Sequence, residues 1–336
     1  ARKLDSLVLC CYAMKESDDL VCESPGNRFS SCSDLLKYPT LQVSIWIIGF
    51  LALVGNFYVL LYWNFLTPED HHHRAHPKAR VQSFLLTNLA VADLLMGVYL
   101  WIIAIQGVRW TGEYFRYDVQ WRTGMLCQVA GAISTLSSEV SIVIMLIITA
   151  DRLNCIVFDI RARPLGIKPA RVICAFVWLL FTIMSFLPMV FTSYFYDKSA
   201  ALPYFGRSSV CLPLAFSSAR PHGWGYSFAI FIVFNSAAFL FILVAYVSIF
   251  LRVRTSSRAV RSTLKRDSAL AVRVALIIVT DFCCWMPIIV ISIMAFLNKF
   301  HDPSQSVMAW IAVFVLPINS SINPLLYTLS NPHARQ

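Results

Sequence analysis

Three carboxylates stand inside long apolar stretches of this sequence: Asp93, Glu139 and Asp281. An ionisable group at mid-membrane depth costs about 2.5–3.5 kcal/mol or more unless it faces protein or water, so such residues mark function by default. The chemistry open to them is cation binding, ligand anchoring or a hydrogen-bonded lock between helices. The bland alternative, a protonated carboxyl bonded to its neighbours, is weakest for Asp93. Ser141, Asn319, Ser320 and Asn323 are candidate partners, and Asn319 and Asn323 at i and i+4 share one helix face. Glu139 and Ser141 lie about 200° apart around a helix, which predicts two separate polar sites rather than one. Enzymatic chemistry finds no support, because H-E-x-x-H, G-x-S-x-G and paired aspartates at plausible spacing are all missing from the sequence. His71, His72, His73 and His76 fall in a polar gap and read as a solvated loop rather than a metal site.

The elements that must position these groups follow from composition. The 336 residues are 58% hydrophobic and 14% charged, against about 25% charged in soluble domains. That composition predicts an all-α, multi-pass membrane protein. The stretch from Cys127 to Arg152 would reach roughly 38 Å as a helix, enough to cross a bilayer. Seven such runs occur, near 41–63, 81–105, 127–150, 172–191, 224–251, 270–297 and 306–329. Three alternate gaps hold fifteen Lys and Arg, and the other three hold seven. By the positive-inside rule the first set is cytoplasmic, which predicts an extracellular amino end. The net charge of +10 is thus explained by topology, and nucleic acid is not an expected partner. Cys10, Cys11, Cys22 and Cys32 crowd into the polar residues 1–40 and suit a disulfide-stapled extracellular hinge. Cys10 and Cys11 are each expected to pair with Cys22 or Cys32, with the choice open. Cys127 and Cys211 are the two extracellular cysteines outside that segment, and a bridge between them would pin the outer loop over the bundle mouth.

A family resemblance rests on residues spread along the whole apolar region. Asn56, Asp93, Asp151-Arg152, Trp178, Cys284-Trp285-Met286-Pro287 and Asn323-Pro324-Leu325-Leu326-Tyr327 occur in the order of the rhodopsin-like G-protein-coupled receptors. Ser138-Glu139-Val140-Ser141, Thr280-Asp281-Phe282 and Ala237-Ala238 resemble the branch bearing leucine-rich repeats. Trp285, Gly112-Glu113-Tyr114, Gln120-Trp121 and Leu316-Pro317-Ile318-Asn319-Ser320 favour its relaxin-receptor side. The resemblance points to an invertebrate, molluscan member. Residues 1–40 would then be the remnant of a leucine-rich-repeat ectodomain with LDL-receptor-type modules, 41–329 the seven-transmembrane domain and 330–336 a short cytoplasmic tail. Leu153 departs from the pattern, since an aromatic usually follows the Arg.

The resemblance implies a receptor in the plasma membrane that passes an extracellular signal to a heterotrimeric G protein, Gs by analogy. It assigns Asp151, Arg152, Tyr246, Asp281, Trp285, Asn323, Pro324 and Tyr327 to the switch, with Arg152 held near its own Asp in the off state. Asp93, Ser141, Asn319, Ser320 and Asn323 resemble a sodium site, and no other cofactor is implied. Glu139 would lie near the ligand side, and Asp281 would bond Asn319 or Asn323. The ligand would be a peptide hormone or the hinge itself, with Ser33, Asp34, Leu35 and Leu36 as the tethered agonist. The competing readings are a seven-span anchor for an active ectodomain and, less favoured, a transporter.

Overall fold

A bilayer offers the backbone no hydrogen-bond partner, so apolar runs of this length must close their bonds internally as helices. The computed structural model describes residues 11, 31–62, 77–158, 164–197, 201–212, 222–255 and 316–329, with scattered positions between 279 and 314. Asp281, Cys10, Cys22, the histidines 71–76 and the side chain of Tyr327 lie outside the described residues.

The long helices are α1 (Pro39–Leu61), α2 (Pro77–Arg109), α4 (Met125–Ile156) and α5 (Ile167–Val190). A short α3 (Tyr114–Thr123) joins α2 to α4. The next span opens with a helical turn at Trp224–Ser227, passes through a π-helix at Phe228–Phe234 and continues as α6 (Asn235–Thr255). The last described helix is α7 (Leu316–Leu329). Five helices among the described residues are long and apolar enough to cross a membrane.

The central helix is α4. Seventy-two per cent of its apolar stretch is buried against 28% for α5, which turns Val172, Phe176, Leu179 and Ile183 outward. It packs on α2, α5 and α6, while α1 packs on α2 and α7. Trp285 is buried against Phe239 of α6, with ring centroids 6.1 Å apart, which places the sixth apolar run beside α6. A second cluster caps the end of the bundle that carries Cys127. There Leu35 and Leu36 pack with Leu41, Ile45, Tyr99, Leu100, Tyr114 and Trp121.

Candidate functional site

Three polar layers are stacked along α4. At the disulfide end, Cys127 is bonded to Cys211, and Cys11 to Cys32. The segment 201–212 is drawn over the bundle and held mainly through its own carbonyls. Tyr99 donates to Val210 O at 2.8 Å, Trp121 Nε1 to Ser209 O at 2.6 Å and Arg122 Nε to Gly206 O at 2.7 Å. Phe205, 1% exposed, fills the space over Gly131, where a Cβ would come within 2.4 Å of its ring. Tyr204 and Ser227 share a hydrogen bond of 2.5 Å, and Arg207 lies over the Tyr204 ring. Burial pushes the Tyr204 phenol above its ordinary range and lowers Arg207, so the phenol stays neutral beside the cation.

Gly206 admits no side chain, since a Cβ there would meet Arg122 O at 2.0 Å. Gly206→Ala should therefore unseat the loop and lower the melting temperature of the purified protein by several degrees. An unchanged melting curve would mean that this contact does not hold the loop.

The hinge docks on the same end. Ser33 O and Cys32 O accept hydrogen bonds from the Tyr114 and Phe115 amides at 3.2 and 3.0 Å, and Gln42 Nε2 donates to Leu36 O at 2.8 Å. Leu35 is wholly buried and Leu36 is 3% exposed, whereas Ser33 faces solvent. Ser33 donates to Asp34 Oδ2 at 2.5 Å.

In the middle layer the carboxylates separate. Asp93 accepts from Asn323 Nδ2 at 2.8 Å and from Ser141 Oγ at 3.3 Å, and Ser320 also bonds to it. Asn319 is buried one turn along α7 from Asn323. Glu139, with no exposed surface, accepts from Asn235 Nδ2 of α6 at 3.2 Å. Asn56 ties α1 to α7 by donating to Ser320 O at 2.9 Å, and Trp178 Nε1 ties α5 to α2 by donating to Asn88 Oδ1 at 3.0 Å. The Asp93 set consists of hard oxygens, and the Asn323 amide oxygen among them is buried without a partner. That donor chemistry fits a small hard cation and not a soft metal. Among the described residues, no three His, Cys, Asp or Glu gather to hold a metal.

At the opposite end, Arg152 is 4% exposed. Its Nη2 donates to Gln82 Oε1 of α2 at 2.9 Å and stands 3.7 Å from Asp151 Oδ2. Asp151 Oδ1 accepts from the Leu165 amide at 3.0 Å. Tyr246 of α6 lies beside Arg152, with its buried hydroxyl next to that of Thr149 on α4. The Asp151–Arg152 pair is thus long, and the hydrogen bond goes to Gln82, which nothing in the sequence singled out.

A disulfide-pinned cap, a buried polar core and a buried arginine now stand at successive depths of one bundle. The family model for the 7 transmembrane receptor (rhodopsin family) matches residues 71–327. The chain belongs to that family. Among curated relatives of this rhodopsin-family receptor, G-protein coupled receptor GRL101 of Lymnaea stagnalis is 42% identical over 329 residues, covering 98% of this chain and 28% of that protein. Relaxin receptor 2 of Homo sapiens is 30% identical over 314 residues, covering 92% of this chain and 39% of that protein. Thyrotropin receptor of Felis catus is 31% identical over 316 residues, covering 93% and 38%. The chain spans between 28% and 39% of the length of these three relatives. The family consists of receptors, not enzymes, and its members are multi-pass membrane proteins built as seven-transmembrane helix bundles.

Proposed function

We propose that this chain is the transducing part of a plasma-membrane receptor, with residues 1–40 extracellular and the Arg152 end in the cytoplasm. It passes a signal from a peptide hormone, or from its own hinge, to a heterotrimeric G protein. The excess of Lys and Arg in the gaps on the Arg152 side supports this orientation. The observation that carries the reading is Arg152: a buried guanidinium whose Nε has no partner. An under-satisfied buried cation is costly to keep and is explained by a second state in which it is used. A seven-span anchor has no need of it.

The hinge acts as the tethered agonist in this reading, with Leu35 and Leu36 as its seated anchors. Each leucine removed from such a cluster costs about 2–5 kcal/mol of packing. Leu35→Ala/Leu36→Ala should therefore bring agonist-free nucleotide exchange on the matching G protein to background, at undiminished surface expression. The test is exchange on a panel of purified G proteins with the chain in lipid, Gs being the first tried by analogy. Exchange by the double variant equal to wild type would remove the hinge from the mechanism.

Asp93, Ser141, Ser320 and Asn323 would hold sodium in the silent state. Sodium chloride should then raise the melting temperature above that in potassium chloride at equal ionic strength, and Asp93→Asn should erase the difference. A sodium effect that survives the substitution would place the ion elsewhere. The proposed link from Asp281 to Asn319 or Asn323 would add to the hold between spans six and seven, and Asp281→Ala should raise basal exchange.

A further inference from the structure

A buried guanidinium points where its partners hold it, so the contacts of Arg152 determine its release. Asp151, its neighbour in sequence, supplies the weaker contact. The carboxylate oxygen nearest the guanidinium is 3.7 Å away, and its other oxygen already serves the Leu165 amide. The contact with hydrogen-bond geometry comes from another helix: Gln82 Oε1, on α2, accepts from Arg152 Nη2 at 2.9 Å. Both side chains are buried, at 8% and 4% exposure, so water does not compete for the bond. A hydrogen bond to an ionised donor is roughly twice as strong as a neutral one.

We propose that Gln82 is a positioning residue that latches Arg152 against α2 in the silent state. This rests on the coupling reading of Arg152 given above. The bond joins α2 to α4 at their Arg152 ends, so releasing the arginine requires breaking it. A neutral amide is suited to that task. A carboxylate in its place would grip the buried cation with a full charge, and an aliphatic side chain would leave the guanidinium with Asp151 alone. Gln82 therefore sets an intermediate hold, and the resting signal is determined across two helices rather than within one Asp-Arg dipeptide.

The test compares wild type, Gln82→Leu, Gln82→Glu and Arg152→Ala in the 336-residue chain reconstituted in lipid nanodiscs. Agonist-free nucleotide exchange on purified heterotrimeric G proteins and the melting temperature are read together. Gln82→Leu is expected to raise exchange about tenfold, equivalent to one charge-assisted hydrogen bond. Gln82→Glu keeps the acceptor oxygen, adds charge and is expected to fall below wild type. Opposite signs from the two variants are what a packing role would not produce. Where the leucine variant does not fold, Gln82→Met serves, since it keeps the chain length and lacks the acceptor oxygen.

The latch is overturned if Arg152→Ala is silent while the leucine or methionine variant exchanges no faster than wild type. It is also overturned if glutamate and leucine shift exchange in the same direction. If Arg152→Ala exchanges at the wild-type rate, the coupling reading itself fails.

Discussion

Arg152→Ala should lower agonist-free nucleotide exchange at least about a hundredfold, to the rate of the G protein alone. Truncating one partner of a buried hydrogen-bonded charge pair typically costs 2–5 kcal/mol, and each 1.4 kcal/mol is a factor of ten. Stability should follow a different course. The guanidinium is buried with one nitrogen unpartnered, so removing it relieves a desolvation cost that offsets the loss to Gln82 Oε1 and to Asp151, whose carboxylate keeps the Leu165 amide. The melting temperature is therefore expected to stay within a few degrees of wild type while signalling disappears. Arg152→Lys keeps the charge but not the planar fork, and should retain only a small fraction of the exchange. The two readouts are GTP analogue uptake and a dye-reported melt on the same preparation. Full exchange by the alanine variant would refute the assignment of Arg152 to the coupling surface.

The second large effect concerns the bridge between Cys127 and Cys211, which closes 84 residues of chain. The entropy that a loop of that length removes from the unfolded chain is worth about 4–5 kcal/mol, of which bridges typically deliver about 2–4 kcal/mol. More than entropy is at stake here. Cys211 sits at φ +56°, a left-handed conformation that a residue with a side chain holds only under constraint. Without the bridge, Cys211 loses that constraint, and Val210 O and Ser209 O shift away from Tyr99 and Trp121. Cys127→Ser/Cys211→Ser should consequently melt ten degrees or so below wild type. Reducing agent should bring the wild-type protein down to a similar value. A melt unaffected by either change would show that the carbonyl contacts alone hold the loop.

How far the sequence could be read depends on the kind of signal each residue carries. Cys127 and Cys211 were legible because cysteines on one side of a positive-inside topology have few possible partners. Asp93, Ser141 and Asn323 were legible because a polar residue in an apolar run must find company, and helical phase assigns it a face. The same rule could have exposed Asn235, which stands in Phe231-Ile232-Val233-Phe234-Asn235 and meets Glu139. Gln82 carried no such mark. It lies near the start of its apolar run, where polar residues are ordinary, and only the approach of α4 gives it meaning. Phe205 was equally silent, since an aromatic in a polar gap gains its burial from folding across the bundle. The apolar run 81–105 also understates α2, which continues to Arg109 because a helix need not end where the hydrocarbon does. The polar α3 escaped notice because it buries little more than Tyr114, Phe115, Asp118 and Trp121.

The bond between Cys11 and Cys32 has a mechanical consequence. Cys32 is at once a disulfide partner and, through its carbonyl, an acceptor for the amide of Phe115 in α3. Three residues later Leu35 is locked among α1 and α2 side chains, and Leu36 is tethered to Gln42. A tension applied at Cys11 therefore bypasses the twenty intervening residues and arrives at α3 through Cys32 itself and at the top of α1 through Leu35 and Leu36. The linkage is short and stiff, and its stiffest member is covalent. A tug there is delivered as torque on α1 and α3 rather than absorbed as slack.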